Sequence, residues 1–309
     1  MNLKGEAGRD VDGLVESVLS SYEAGPRSMH HIGAYELPQQ TEVQKCVEAV
    51  RALLLPGFVG ASLVNGGAGD VRSYVIERLE DLLSRLRRQV YRGLHHRCGL
   101  AQPDRKLECS ECAASADGIT SRFLAAIPDL RAALATDVDA AYEGDPAATG
   151  TDEVIFCYPG LYAITCYRMA NRLLLEGASV IPRMITEHAH EKTGIDIHPG
   201  ADIGKWFFID HGTGIVIGGT TIIGERVRIY QGVTLGALSV PKGKVRAAES
   251  RKRHPTIEDD VIIYANATIL GGDTVIGRGA VIGGNCWVTT SVDPGARITV
   301  DECGTPGPR

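Results

Sequence analysis

The chain has 309 residues, 44% hydrophobic and 23% charged, with a formal net charge of −6, which fits a folded protein of one large domain or two ordinary ones. The acidic balance, with no basic stripe, argues against nucleic acid as a partner, and no apolar run approaches the roughly 20 residues of a membrane span. The N-terminus lacks the apolar core of a signal peptide, so the chain is read as cytoplasmic and its 8 cysteines as thiols or metal ligands rather than disulfides.

Up to about residue 190, apolar residues recur at helical spacing. Roughly 10–23, 41–54, 118–142 and 158–189 carry this pattern. From Ser73 to Leu94, a stripe of Val75, Leu79, Leu82, Leu83 and Leu86 runs among charges. An all-α domain over 1–190 is expected. Within it, His95, His96 and Cys98 precede Cys109 and Cys112. Cys and His at close spacing can close a tetrahedron around zinc. There is a single CxxC pair, however, and its distance from Cys98 matches no common finger. Metal ligation and free thiols in a helical hairpin both stay open. Cys157, Cys166 and Cys286 are expected in the core.

After Gly194 the period becomes six. Ile197, Ile203, Ile209 and Ile215 step by six and lead on to Thr221, Val227 and Val233; Ile217, Ile223, Ile229 and Leu235 form a second register. Ile257, Ile263, Ile269, Val275 and Val281 resume the step, with Leu270, Ile276, Ile282 and Val288 beside them. Hairpins would instead alternate with period two. A period of six fits a β-solenoid over 191–300, each repeat giving one short strand and one corner. The polar, basic stretch of about 237–254 breaks the period and is expected to be an extruded loop, and 301–309 a short tail. Asp196 and His211 are fifteen residues apart, near enough to one coil of about eighteen that they could meet on adjacent coils. A carboxylate beside an imidazole makes a general-base pair.

The runs DIHPGADIG, DHGTGIVIG, YQGVTLG, RHPTIEDDV and ILGGDTVIG, with LATDVDAAYEGDPAA and YPGLYAITCYRMANRL upstream, resemble the serine O-acetyltransferases of the hexapeptide-repeat acyltransferases over about 35–295. The resemblance implies an α + β chain: an N-terminal helical domain followed by a left-handed parallel β-helix with three hexapeptides per coil. It implies acetyl transfer from acetyl-CoA to the hydroxyl of L-serine, giving O-acetyl-L-serine and CoA, with no metal required. His211 then matches the general base and Asp196 its partner, while Asp145, Asp210, Arg253 and His254 match the residues that hold serine. Lys242 and Lys244, with Arg246, Arg251 and Lys252, are candidates for the phosphates of CoA. His198 is read as a corner residue outside the catalytic set. L-cysteine, close to serine in size and charge, is a candidate feedback inhibitor.

The family also implies a homotrimer, or a hexamer built from two trimers, with His211 and His254 facing one another across a subunit boundary. Many members end in an Ile that docks into O-acetylserine sulfhydrylase. This sequence ends at Arg309, which speaks against that complex. An acyltransferase acting on a sugar would not need opposite charges at two ends of its site. Homoserine stays open, since one methylene is worth only about 1–3 kcal/mol in a pocket. A zinc hydratase on the same fold would need three converging histidines, and a non-catalytic scaffold would not need the His211–Asp196 pair.

Overall fold

The protein was analysed as a computed structural model, which describes residues 11–24, 29–32, 35–61, 67–101, 109–238 and 252–301. Among these, eight helices precede fourteen strands. Helix α1 (Val11–Ala24) buries no side chain. Helix α2 (Gln40–Leu54) turns Val43, Cys46, Val47 and Val50 inward, the spacing of one helix face. Helix α3 (Ala68–Ala101) buries Leu82, Leu86, Val90 and Leu94, while Val75 and Leu83 are exposed. Its inward stripe, which also includes Tyr74, therefore advances by four residues a step and runs beside the stripe read from the apolar pattern.

Two expected helices are each broken in two. The segment 118–142 falls in α4 (Ser110–Ala125) and α5 (Ile127–Gly144), because Pro128 stands in the first turn of α5. A proline is accommodated there but not in a helix interior. After α6 (Thr151–Cys157), the segment 158–189 divides into α7 (Pro159–Leu175) and α8 (Ile181–Thr193). Gly177 turns between them at φ +97° and Pro182 opens α8. Helix α8 stops at Gly194, whose φ of 72° ends the helix in the left-handed region. Cys166 and Cys286 are buried as expected, but Cys157 is exposed, since it ends α6 on the solvent side. No described helix is long and apolar enough to cross a membrane.

Beyond Gly194 the chain coils. The strands are β1 (Asp196–Ile197), β2 (Asp202–Ile203), β3 (Phe208–Asp210), β4 (Val216–Ile217), β5 (Ile222–Ile223), β6 (Arg228–Tyr230) and β7 (Thr234–Gly236). After the loop come β8 (Thr256–Ile257), β9 (Ile262–Ile263), β10 (Thr268–Leu270), β11 (Val275–Ile276), β12 (Val281–Ile282), β13 (Trp287–Val288) and β14 (Arg297–Ile298). They form three parallel sheets, ordered β1-β4-β7-β10-β13, β11-β8-β5-β2 and β14-β12-β9-β6-β3. This is the β-solenoid expected from the period of six.

The register shows where the coil departs from regularity. Asp196 pairs with Val216, twenty residues on, and Val216 pairs with Thr234, eighteen on. The two additional residues fall at His211–Gly214. They move the inward position from Ile209 to Ile217, so the six-step run read through Ile215 and Thr221 changes place on the coil there. Thr234 pairs with Thr268, thirty-four on, which puts the extruded loop between β7 and β8. Thr268 pairs with Trp287, nineteen on. One additional residue near Gly271 makes Ile276, Ile282 and Val288 the buried set, with Val275 and Val281 only half-buried.

The helices are bound to the first coil by a buried polar clamp. Arg168 of α7 donates through Nε and Nη2 to Asp137 of α5 at 2.6 and 2.7 Å, and to the carbonyls of Ile203 and Gly204 at 3.3 and 2.8 Å. Asp137 also accepts the Phe207 N–H at 3.1 Å. Gly160 of α7 approaches the coil so closely that a Cβ there would lie 2.5 Å from the Ile209 carbonyl oxygen.

Candidate active site

The bulge at His211–Gly214 creates the first feature of the site. His211 adopts φ 55° and Gly212 φ 100°, and the Ile195 side chain lies directly under Gly212, where a Cβ would come within 2.5 Å of it. The two additional residues push the imidazole outward, leaving its side chain 74% exposed. A non-glycine residue in the left-handed region is uncommon. Here several other corner residues share it, among them Trp206, Arg226 and Asn266, so the conformation belongs to the coil rather than to His211 alone.

His211 Nε2 lies 3.8 Å from Asp210 Oδ1, near enough for an ion pair and too far for a hydrogen bond. Burial pushes the Asp210 carboxyl up, against the pull of His211. Asp145, the residue that caps α5, belongs to the same electrostatic group. Its Oδ2 accepts the Tyr158 hydroxyl at 2.6 Å and its Oδ1 the Ala147 N–H at 2.8 Å. Both bonds, the tyrosine first, hold its carboxyl below the usual range, so it stays anionic. Arg228 also acts on this group, resting over the Phe208 ring at 5.4 Å.

A second group forms at the opposite end of the β1-β4-β7 sheet, where the corners at His198 and Gly218–Thr221 stack with the returning loop. His254 is buried, and its Nδ1 receives the Thr220 N–H at 3.1 Å and lies 2.8 Å from the Thr220 hydroxyl. That hydroxyl oxygen accepts the N–H groups of Arg253 and His254 at 2.8 and 3.1 Å. Gly218 is required here: a Cβ would lie 2.0 Å from the His254 ring. Burial first, then the neighbouring Arg253, His198 and Lys252, push the His254 pKa down to about 4. Near neutral pH it is therefore an uncharged ring. Since Nδ1 accepts, the inferred tautomer offers Nε2–H as a donor, not as a cation. Arg253 supplies the charge, and its Nε is buried with no hydrogen-bond partner among the described residues.

Thus the sequence-predicted residues fall into two sets. Asp145, Asp210 and His211 come together, and Arg253 and His254 come together. Asp196 is not joined to His211 within one chain. Its ion-pair partner among the described residues is Arg183 of α8, at 3.7 Å. The first coil is twenty residues long, so fifteen residues fall one corner short of stacking. His198 sits at the second group, its Nδ1 accepting the Gly200 N–H at 2.9 Å, as befits a corner residue. Lys252 is occupied internally, donating to the carbonyls of His254 and Thr220 at 2.7 and 3.2 Å, which pins the loop's return. Lys242 and Lys244, like Arg246 and Arg251, lie outside the described residues. Tyr158, Arg228 and Thr220 were not singled out in the sequence. Only Tyr158 carried a signal, its position in the matched YPGLY run.

No protein-family model matches the chain. A plasmid-encoded serine acetyltransferase of Synechococcus elongatus is 42% identical over 294 residues, covering 94% of this chain and 90% of that protein. The serine acetyltransferase of Mycobacterium tuberculosis is 46% identical over 175 residues, 57% of this chain and 71% of its own. Among solved structures, serine acetyltransferase 1 of Entamoeba histolytica in complex with L-cysteine superposes with a TM-score of 0.70 at 32% identity, covering 93% of this chain and 97% of that one. The Neisseria gonorrhoeae serine acetyltransferase in complex with serine gives 0.54 at 27% identity, over 90% and 98%. By sequence over nearly its whole length, and by a β-helix set behind helices, this chain belongs to the serine acetyltransferase family.

Proposed function

We propose that the chain transfers acetyl from acetyl-CoA to the hydroxyl of L-serine in a site shared between two subunits, with His211 as general base. The observation that carries this reading is the division of the candidate residues into two half-sites at opposite ends of one sheet. One half offers a base beside carboxylates. The other offers a guanidinium and a neutral N–H donor. Serine is a zwitterion, so a pocket formed where the two halves of neighbouring subunits meet would suit it. Asp145 and Asp210 face its ammonium; Arg253 and the His254 Nε2–H face its carboxylate. A homotrimer built around the coil supplies such a junction, and a hexamer of two trimers keeps it.

In the reaction, His211 Nε2 takes the proton from serine Oγ as that oxygen attacks the thioester carbonyl. The tetrahedral intermediate collapses, the C–S bond breaks, and the imidazolium returns its proton to the departing CoA sulfur. No covalent acyl-enzyme is needed. Asp196 follows Ile195, which packs beneath Gly212. For Asp196 to act as the partner of the base, we propose that the exposed imidazole turns from Asp210 towards it in the substrate complex, leaving Asp210 to the substrate. Cysteine shares the ammonium and carboxylate of serine, so the same two half-sites fit it as a competitive inhibitor.

The test is thiol release from acetyl-CoA in the presence of serine, homoserine or an amino sugar. Serine-dependent release well above the others is expected. Its absence from the folded protein contradicts the reading, and preference for homoserine replaces the substrate while keeping the reaction.

A further inference from the structure

Outside this site, a second cluster of reactive side chains stands in the helical region. Cys98 lies in the last turn of α3, and Cys109 and Cys112 stand at the start of α4, on the two sides of the 102–108 connection. Their three sulfurs all lie within 4.8 Å of one another. Cys98 and Cys112 Sγ are 3.4 Å apart, a contact rather than a bond, which would be about 2.05 Å. Three thiolates on tetrahedral zinc, each at about 2.3 Å, stand roughly 3.8 Å from one another. The cluster is thus within small side-chain adjustments of one face of a tetrahedron.

Two further features favour a cation over a disulfide. Three sulfurs converge, so a pairwise bond would leave one behind. Cys109 caps α4, and its sulfur accepts the Cys112 N–H at 3.3 Å, a bond that stabilises a thiolate. Cys109 and Cys112 are also 5% exposed, so the cluster is sheltered from exchange with bulk oxidants. The nearby histidines are engaged with tyrosines. The His95 ring stacks on Tyr91 with centroids 5.5 Å apart, and His96 Nδ1 lies 3.2 Å from the Tyr35 hydroxyl.

We propose that Cys98, Cys109 and Cys112 form a three-thiolate site for zinc, which clamps the end of α3 to the start of α4. Its role is structural, and it is independent of acetyl transfer. Of the two sequence readings left open for these cysteines, metal ligation is the one this geometry favours.

The test uses the full chain, reduced, equilibrated with zinc and freed of excess metal, with bound zinc measured by atomic emission. About one zinc per chain is expected in the wild type and in Cys157→Ser, whose thiol is exposed elsewhere. Less than a tenth of that is expected in Cys98→Ser. Because Cys98 is only half-buried, far-UV circular dichroism should show that variant folded. Cobalt in place of zinc should give thiolate-to-metal charge-transfer absorption, and stripping the metal should lower Tm. Folded wild type that takes up no zinc overturns the proposal without reference to any variant. So does full zinc content in Cys98→Ser, or a Cys98–Cys112 disulfide in a chain that cannot bind the metal.

Discussion

Two histidines on corners of one coil meet opposite environments. The His211 ring stands out on a two-residue bulge and remains 74% exposed. The His254 ring is buried against Gly218 and receives N–H density at Nδ1, which keeps it neutral. Replacing His211 with Ala should lower turnover by about 10²–10⁴, the contribution of a positioned base, while leaving the melting curve in place; unchanged turnover removes it as the base. His254 makes a different prediction. Its folded pKa, about 4, lies below the ordinary 6.5, so the unfolded chain binds the proton more readily. The stability from keeping the ring neutral is fully present above pH 6.5 and is lost as pH falls towards 4. Denaturant titrations across that range should show the slope, and His254→Gln should flatten it. At this scale the matched motifs named the candidate residues but not which of them stand together: Asp196 lies in such a motif and is paired with Arg183 rather than His211. Tyr158, although in the matched YPGLY run, and Arg228 were given no role there, because they act on Asp145 and Asp210 only once α5, α7 and the coil have packed.

The elements follow from periodicity, and their irregularities from single residues. A six-residue step was enough to read the solenoid, since every coil buries an aliphatic residue at the same place. It could not show the slips of phase at His211–Gly214 and Gly271. An apolar residue sits in either phase there, and only strand pairing decides which one faces in. The helix breaks before Pro128 and at Gly177 were open to reading from proline and glycine, but apolar spacing ran through them. The helices meet the coil at the Asp137–Arg168 clamp, where Asp137 is 1% exposed. Asp137→Ala leaves a guanidinium and the Phe207 N–H without their acceptor in a buried place, and should destabilise the chain by about 3–5 kcal/mol. Urea unfolding measures this. A change under about 1 kcal/mol would mean that the Asp137 carboxylate contributes little to holding the two parts together.

For the molecule as a whole, one chain carries both halves of the proposed site and joins neither to the other. Sequence motifs named the residues of both halves in a single linear order, which hides the fact that they stand at different corners. In the proposed cyclic homotrimer, one corner of each subunit would meet the other corner of its neighbour. Loss of His211 and loss of Arg253 then disable different halves of every site. The direct measurement is complementation: His211→Ala and Arg253→Ala chains, each inactive alone, are co-expressed and the mixed oligomers assayed with serine and acetyl-CoA. Random mixing leaves about a quarter of the junctions with both halves intact, so activity should return to about a quarter of wild type. Mixed oligomers that form and stay inactive would contradict the shared site.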